Sequence, residues 1–344
     1  MKKSLLGFLI GLSLALLLTV FANENPFHIA SILFKSAFGS SYDLGLTLYY
    51  TTGLIFTGLS VSLAFSAGLF NIGAEGQLLM GSIAAALCGV LFPNIPPPLS
   101  FVFAMAISAL ASSLWALIPV LLKVYRGSHE VIVTMMMNFI ASGLTGWIAL
   151  QGIPNTESQN PETAKVSVNY LFHEIDFIKK SLGDSPASLA LIFALLAAFV
   201  VWFIMKYTRW GYEVQVSGLN PSAAERAGIS VHKMQIQSFC LAGALASGVA
   251  LTEVLGNSGQ FRIGFSPDFG FIGIAVALMA RNHPLGILLS AFLMGALHKG
   301  ASDLDFETTT ITRDFSKIIQ GVIILFVAVQ TYRIFKKRRG SHAH

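Results

Sequence analysis

Long apolar runs separated by short islands of charge recur along the whole of this 344-residue chain, and that alternation constrains its fold more tightly than any motif. A hydrocarbon core about 30 Å thick needs about 20 consecutive, mostly apolar residues for each helical crossing. The composition agrees, with 54% hydrophobic and 11% charged residues, a balance foreign to a soluble domain of this size. The expected fold is therefore all-α: a polytopic integral membrane protein with about ten transmembrane helices in one transmembrane domain, residues 1–344. The spans read as 4–22, 44–66, 69–91, 99–122, 131–150, 187–205, 234–255, 269–280, 285–299 and 315–332. The eighth and ninth are short, which predicts a helix hairpin broken at Asn282, His283 and Pro284.

Charge supports this order, because cytoplasmic loops collect Lys and Arg. With the amino terminus inside, Lys2, Lys3, Lys123, Arg126, Lys206, Arg209, Arg226, Lys233, Arg281, Arg333 and the cluster Lys336, Lys337, Arg338, Arg339 all fall on the cytoplasmic side. Lys35, Lys165, Lys179, Lys180, Arg262, Lys299, Arg313 and Lys317 remain outside, with most of the acidic residues. Both termini are expected to be cytoplasmic. The first run, after Met1-Lys-Lys and ending at Val20-Phe-Ala22, also resembles a secretory signal, but its length suits a retained anchor better.

Cys88 and Cys240 lie inside apolar runs and read as packed thiols. The histidines are scattered, His342 and His344 near the end of the chain, so no metal site is expected. Two loops are long enough to matter. Residues 151–186, with Asn155, Asn160, Pro161, Asn169, Gly183 and Asp184, form an external loop that is either a docking surface or a connector. Residues 207–233 form a cytoplasmic loop carrying a short helix at 221–227. There Asn220 suits the N-cap, Pro221 the first helical position, Ala224 propagation, and Gly228 the left-handed residue beyond the last turn. So short a helix is marginal alone and needs a surface to rest on, either its own loop or a partner's groove.

Polar residues at membrane depth mark function more often than chance. The stretch from Gly68 to Gln77 holds Asn71, Glu75 and Gln77 among three glycines. Asn138 lies about 12 Å past the cytoplasmic edge of its span, at 1.5 Å per residue, beside Met135, Met136 and Met137. Asn138 reads either as a substrate contact or as an interhelical hydrogen bond. Glu75 can bind a substrate hydroxyl or amine, relay protons, or join Asn71 and Gln77 in a structural network. Glu253 and Asn257 sit near the outer end of the seventh span, and Gly243 to Gly248 carries the small-residue spacing of close helix contact. No Gly-x-x-x-x-Gly-Lys-Ser/Thr run is present; Gly256 to Gly264 is glycine-rich but lacks the lysine. ATP, if used, is held by another subunit.

Four blocks in order, Gly68–Gln77, Gly127–Asn138, Gly218–Gly228 and Gly270–Gly286, resemble the permease of nucleoside and simple-sugar ABC importers of the branched-chain amino acid/ribose type. The resemblance runs from about Leu44 to Leu297. It implies a permease fold like that of type II ABC importers and a transport subunit, not an enzyme, in a bacterial inner membrane. It also implies a substrate pathway near Asn71, Glu75, Gln77 and Asn138, and a coupling helix whose Asn220, Pro221, Ala224, Glu225, Arg226 and Gly228 seat in an ATPase. The partners it implies are that ATPase subunit, which binds ATP and Mg, a second permease subunit, a substrate-binding lipoprotein and membrane lipid, with no nucleic acid and no cofactor on this chain. Nucleosides are the expected cargo. A sugar, riboflavin or another ribosyl or ribityl compound is the alternative, and a proton-coupled carrier using Glu75 and Glu253 the more distant one. Ser128-His129 before Glu130 and the methionine triplet before Asn138 depart from the family pattern, which bears on substrate choice.

Overall fold

Apolar residues of helical length and spacing do become helices, and they carry nearly all of the chain. The computed structural model describes residues 2–22, 24–172, 177–308, 317–326 and 329. The helices are α1 (Lys2–Leu18), α2 (Pro26–Phe38), α3 (Ser41–Ser66), α4 (Ala74–Leu91), α5 (Leu99–Arg126), α6 (Glu130–Trp147), α7 (Phe177–Ser181), α8 (Ala190–Tyr207), α9 (Arg209–Leu219), α10 (Pro221–Arg226), α11 (Val231–Ala246), α12 (Phe269–Met279), α13 (Pro284–Glu307) and α14 (Lys317–Phe326). Among the described residues, strand-like pairing is confined to isolated bridges.

Seven helices are long and apolar enough to cross a membrane: α3, α4, α5, α6 with its π-helical extension to Gly152, α8, α11 running on to Ser258, and α13. The apolar parts of α1, α12 and α14 are shorter, so helix length by itself supports seven crossings and not the expected ten. The hub is α3, packed by α11, α12 and α13 on successive faces and buried along most of its length. Its buried hydroxyls are satisfied by carbonyls, Thr51 by Thr47 and Thr52 by Leu48 one turn back, each at 2.7 Å. α5, α6 and α8 instead leave most of their apolar surface open, as lipid-facing helices do.

Several boundaries differ from the sequence reading, each for a physical reason. α2 was not expected: Asn25 caps it and Pro26 starts it, but at 13 residues with Phe27 and Phe34 exposed it is amphipathic and too short to register as a span. The third span begins at Ala74, not Leu69, because Gly68 turns the chain at φ +78° and residues 67–73 are irregular. The ninth runs to Glu307, eight residues beyond Lys299, because Lys299 does not end the helix. Its buried ammonium pairs with Asp43 at 3.4 Å and with Asp303 one turn on. The break before it is a turn with Arg281 and Asn282 both left-handed, and His283 Nδ1 accepts the Gly286 N–H at 3.3 Å. The short helix α10 closes at Arg226, one residue earlier than expected. Of the tenth span, only 317–326 and 329 are described; Arg333, the Lys336–Arg339 cluster, His342 and His344 lie outside the described residues.

The loop after α6 is folded, not free. Its residues 161–166 pair with 259–263: Thr163 N–H donates to Phe261 O at 2.9 Å, Val166 N–H to Gly259 O at 2.8 Å, and Ile263 N–H to Pro161 O at 3.0 Å. The buried Glu162 carboxylate secures the clasp, accepting from Gln260 Nε2 at 2.5 Å and Asn155 Nδ2 at 3.1 Å, with Arg262 at 3.6 Å.

Candidate functional site

A helix that starts inside a membrane leaves its first N–H groups without intrahelical partners, and these need acceptors from elsewhere. α4 starts this way. Asn138 of α6 supplies one acceptor: its Oδ1 takes the Gly76 N–H at 2.8 Å, while its Nδ2 donates to Ile72 O at 3.0 Å. One amide thus bridges both sides of the break. Glycine at 76 is what lets α6 come so close, since a Cβ there would lie 2.9 Å from Asn138 Oδ1 and 3.1 Å from its Cα. Behind the break, Asn71 and Gln77 form a reciprocal amide pair, Asn71 Nδ2 to Gln77 Oε1 at 2.9 Å and Gln77 Nε2 to Asn71 Oδ1 at 3.1 Å, both fully buried.

Glu75 stands apart from that pair. Its Oε2 accepts the Gly270 N–H at 2.7 Å, and the Ser266 hydroxyl also bonds the carboxylate. Gly270 lies in the first turn of α12, where a negative charge meets the positive end of the helix dipole. The network once expected among Asn71, Glu75 and Gln77 is therefore two networks. One holds the break to itself, and the other ties α4 to α12.

These groups open onto a cleft of about 260 Å³. α4 contributes Glu75 and Leu79; α6 contributes Met135, Asn138, Phe139, Ser142 and Thr145; the segment leading into α12 contributes Phe261, Ile263, Gly264, Ser266 and Asp268; and α12 contributes Phe271. Phe139 and Phe271 are exposed there. Of the residues proposed from sequence, Glu75 and Asn138 line the cleft; Asn71 and Gln77 do not. Met135 lines it, Met136 is exposed and Met137 is buried. Glu253 is elsewhere, buried and bonded by the Tyr49 hydroxyl and by Asn257 Nδ2 at 3.4 Å. Asp268, Ser266, Phe261 and Phe271 were not singled out from sequence. Phe261, Ser266 and Asp268 come from an aperiodic segment whose visible signal was the glycine-rich run ending at Gly264, whereas Phe271 lies in the first turn of α12, inside the block Gly270–Gly286.

The second group of candidates lies on α10 and the residues flanking it. In α10, Asn220 Oδ1 caps the Ala223 N–H at 3.1 Å, Ala224 is buried, Glu225 and Arg226 are exposed, and Gly228 is left-handed at φ +79°. The preceding helix, α9, rests on the turn that leads into the break. A Cβ on Gly218 would lie 2.2 Å from Ser66 O and 2.7 Å from Gly68 N, so only glycine allows this contact.

The fold and site define a helical membrane protein with a backbone break, a capping amide from a second helix and a partly polar cleft alongside. The chain belongs to the family described as branched-chain amino acid transport system permease component, whose model matches residues 43–328. It is 36% identical over 325 residues to the guanosine ABC transporter permease protein NupP of Bacillus subtilis (strain 168), covering 94% of this chain and 92% of that one. It is 33% identical to the nucleoside ABC transporter permease protein NupB of Lactococcus lactis subsp. cremoris (strain MG1363), covering 94% and 88%. It is 31% identical to the glucose ABC transporter permease protein TsgB13 of Haloferax volcanii, covering 92% and 83%. This chain is accordingly the permease component of an ABC transporter, a class in which ATP and Mg are used by partner ATPases.

Proposed function

We propose that this chain forms the translocation path of an ATP-driven importer of nucleosides in a bacterial inner membrane. The observation that carries the reading is the pairing, in one cleft, of exposed phenyl rings with a carboxylate, an amide and hydroxyls. A nucleoside has that character in reverse, with a flat base that stacks on aromatic faces and a ribose whose hydroxyls need partners. A bare sugar has no aromatic face to set against Phe139 and Phe271, whereas riboflavin has one, so the choice of nucleoside over riboflavin is supported by the likeness to guanosine and nucleoside permeases. Glu75 and Asn138 face the route, while Asn71 and Gln77 hold the break behind it.

Around this path, α1, α12 and α14 complete ten membrane segments with both termini in the cytoplasm. Asn220, Pro221, Ala224, Glu225, Arg226 and Gly228 seat α10 in an ATPase that holds ATP and Mg. A second permease subunit completes the path, and a substrate-binding lipoprotein docks on loop 151–186. The contact of Gly218 with the Ser66–Gly68 turn supports the coupling part, since it links α9, and through it α10, to the break bridged by Asn138.

Phe139→Ala is the cleanest test, because this ring is 68% exposed and its loss leaves the core intact. Losing one stacking partner is worth about 1–3 kcal/mol, so nucleoside uptake by the assembled transporter should fall about tenfold at unchanged membrane insertion. Wild-type uptake in Phe139→Ala and Phe271→Ala alike would remove the cleft from the route.

A further inference from the structure

We infer that Glu75 and Asp268 make this cleft a charge filter, admitting uncharged base-bearing glycosides and turning back their phosphorylated forms, with Asp268 as a specificity-determining residue. The inference rests on the cleft being the substrate route. Glu75 and Asp268 are the charged side chains among its described lining residues, and none of those residues is Lys, Arg or His. Arg262, the basic residue nearest in sequence to Asp268 on its amino-terminal side, is turned to Glu162.

The start of α12 would otherwise suit an anion, since a helix N-terminus offers free N–H groups and a positive dipole end. Here the Gly270 N–H is already taken by the Glu75 carboxylate at 2.7 Å. Asp268 occupies the N-cap position of the same helix but does not cap it. Its backbone is left-handed at φ 64°, ψ 37°, and its side chain makes no cap hydrogen bond. An aspartate at that position ordinarily spends its carboxylate on the first-turn N–H groups. This one is exposed and lines the cleft together with Glu75.

Size makes the two charges decisive. A space of about 260 Å³ is about 8 Å across as a sphere, no larger than about one Debye length at physiological ionic strength. A phosphate in the cleft lies within about one Debye length of both carboxylates and is repelled by them, whereas the N–H and O–H groups of an uncharged nucleoside find acceptors in them.

The test is photolabelling of the assembled transporter with 8-azidoguanosine and with its 5′-monophosphate, followed by mapping of labelled peptides within 130–145 and 259–271. Wild type should label at least tenfold more with the nucleoside. Asp268→Asn, close to isosteric at an exposed position, should raise the monophosphate-to-nucleoside ratio about tenfold, and Glu75→Gln should move it the same way. A second arm on wild type needs no variant: unlabelled guanosine should suppress nucleoside labelling at concentrations at least tenfold lower than guanosine 5′-monophosphate. Equal labelling of wild type by both probes, equal competition, or a ratio unmoved in both variants would overturn the filter while leaving the nucleoside route standing. Labelling of neither peptide by either probe would sink the route and the filter together.

Discussion

Asn138 shows how one side chain can be read two ways from sequence and resolved by its neighbours. Its oxygen and nitrogen are both used by backbone, on Gly76 and Ile72, while the residue itself lines the cleft. Asn138→Leu, a near-isosteric change, therefore orphans a buried donor and a buried acceptor, at about 1–3 kcal/mol each. That exceeds the about 0.6 kcal/mol average of an interhelical bond in a membrane protein, because Asn138 holds two backbone groups at once. We expect thermal unfolding of the purified permease in detergent to move down by several degrees, with uptake lost alongside. An unchanged midpoint would show that the break holds itself without Asn138. The sequence marked Asn71, Glu75, Gln77 and Asn138 as costly polar groups in apolar surroundings, and all four are held by hydrogen bonds. Which of them pair was not legible, since Asn71 meets Gln77 six residues on, whereas Glu75 meets Gly270, 195 residues away.

At the scale of elements, α9 and α10 form a strut whose two ends make different predictions. Ala224 donates its N–H to Asn220 O at 3.0 Å inside α10, and proline there removes the bond and clashes with the preceding turn, costing about 3 kcal/mol. Ala224→Pro should abolish uptake while the protein still inserts; normal uptake with normal substrate-stimulated ATP hydrolysis would end the coupling assignment. At the other end, Gly218→Ala places a methyl 2.2 Å from Ser66 O, which forces α9 away from the turn. Here the expected signature is uncoupling: ATP hydrolysis by the assembled complex persists, but uptake falls at least tenfold. Retained uptake at the wild-type ratio to hydrolysis would show that the contact transmits nothing. The caps of α10 were readable because Asn, Pro and Gly act within one turn. The role of Gly218 was not, because its constraint is the backbone of α3, about 150 residues earlier.

Over the whole molecule, the described helix lengths support seven crossings, and the ten-segment arrangement is our proposal from the positive-inside pattern. A reporter fused after Arg339 should read cytoplasmic and one inserted near Asn160 external; both on one side would break that arrangement. Sequence by itself determined the solvent, the helical class, most helix boundaries and the caps of α10, because hydropathy and capping act over a few to about 20 consecutive residues. It also carried the family blocks. Tertiary structure alone decided that Lys299 lies inside a helix, that Glu75 of α4 bonds the start of α12, that residues 161–166 are clasped to 259–263, and that Asp268 and the phenyl rings share a cleft with Asn138. Each of these is a contact between segments far apart in the chain, set by how buried charges and unpaired backbone groups find partners once the helices pack, and no local period encodes such a meeting.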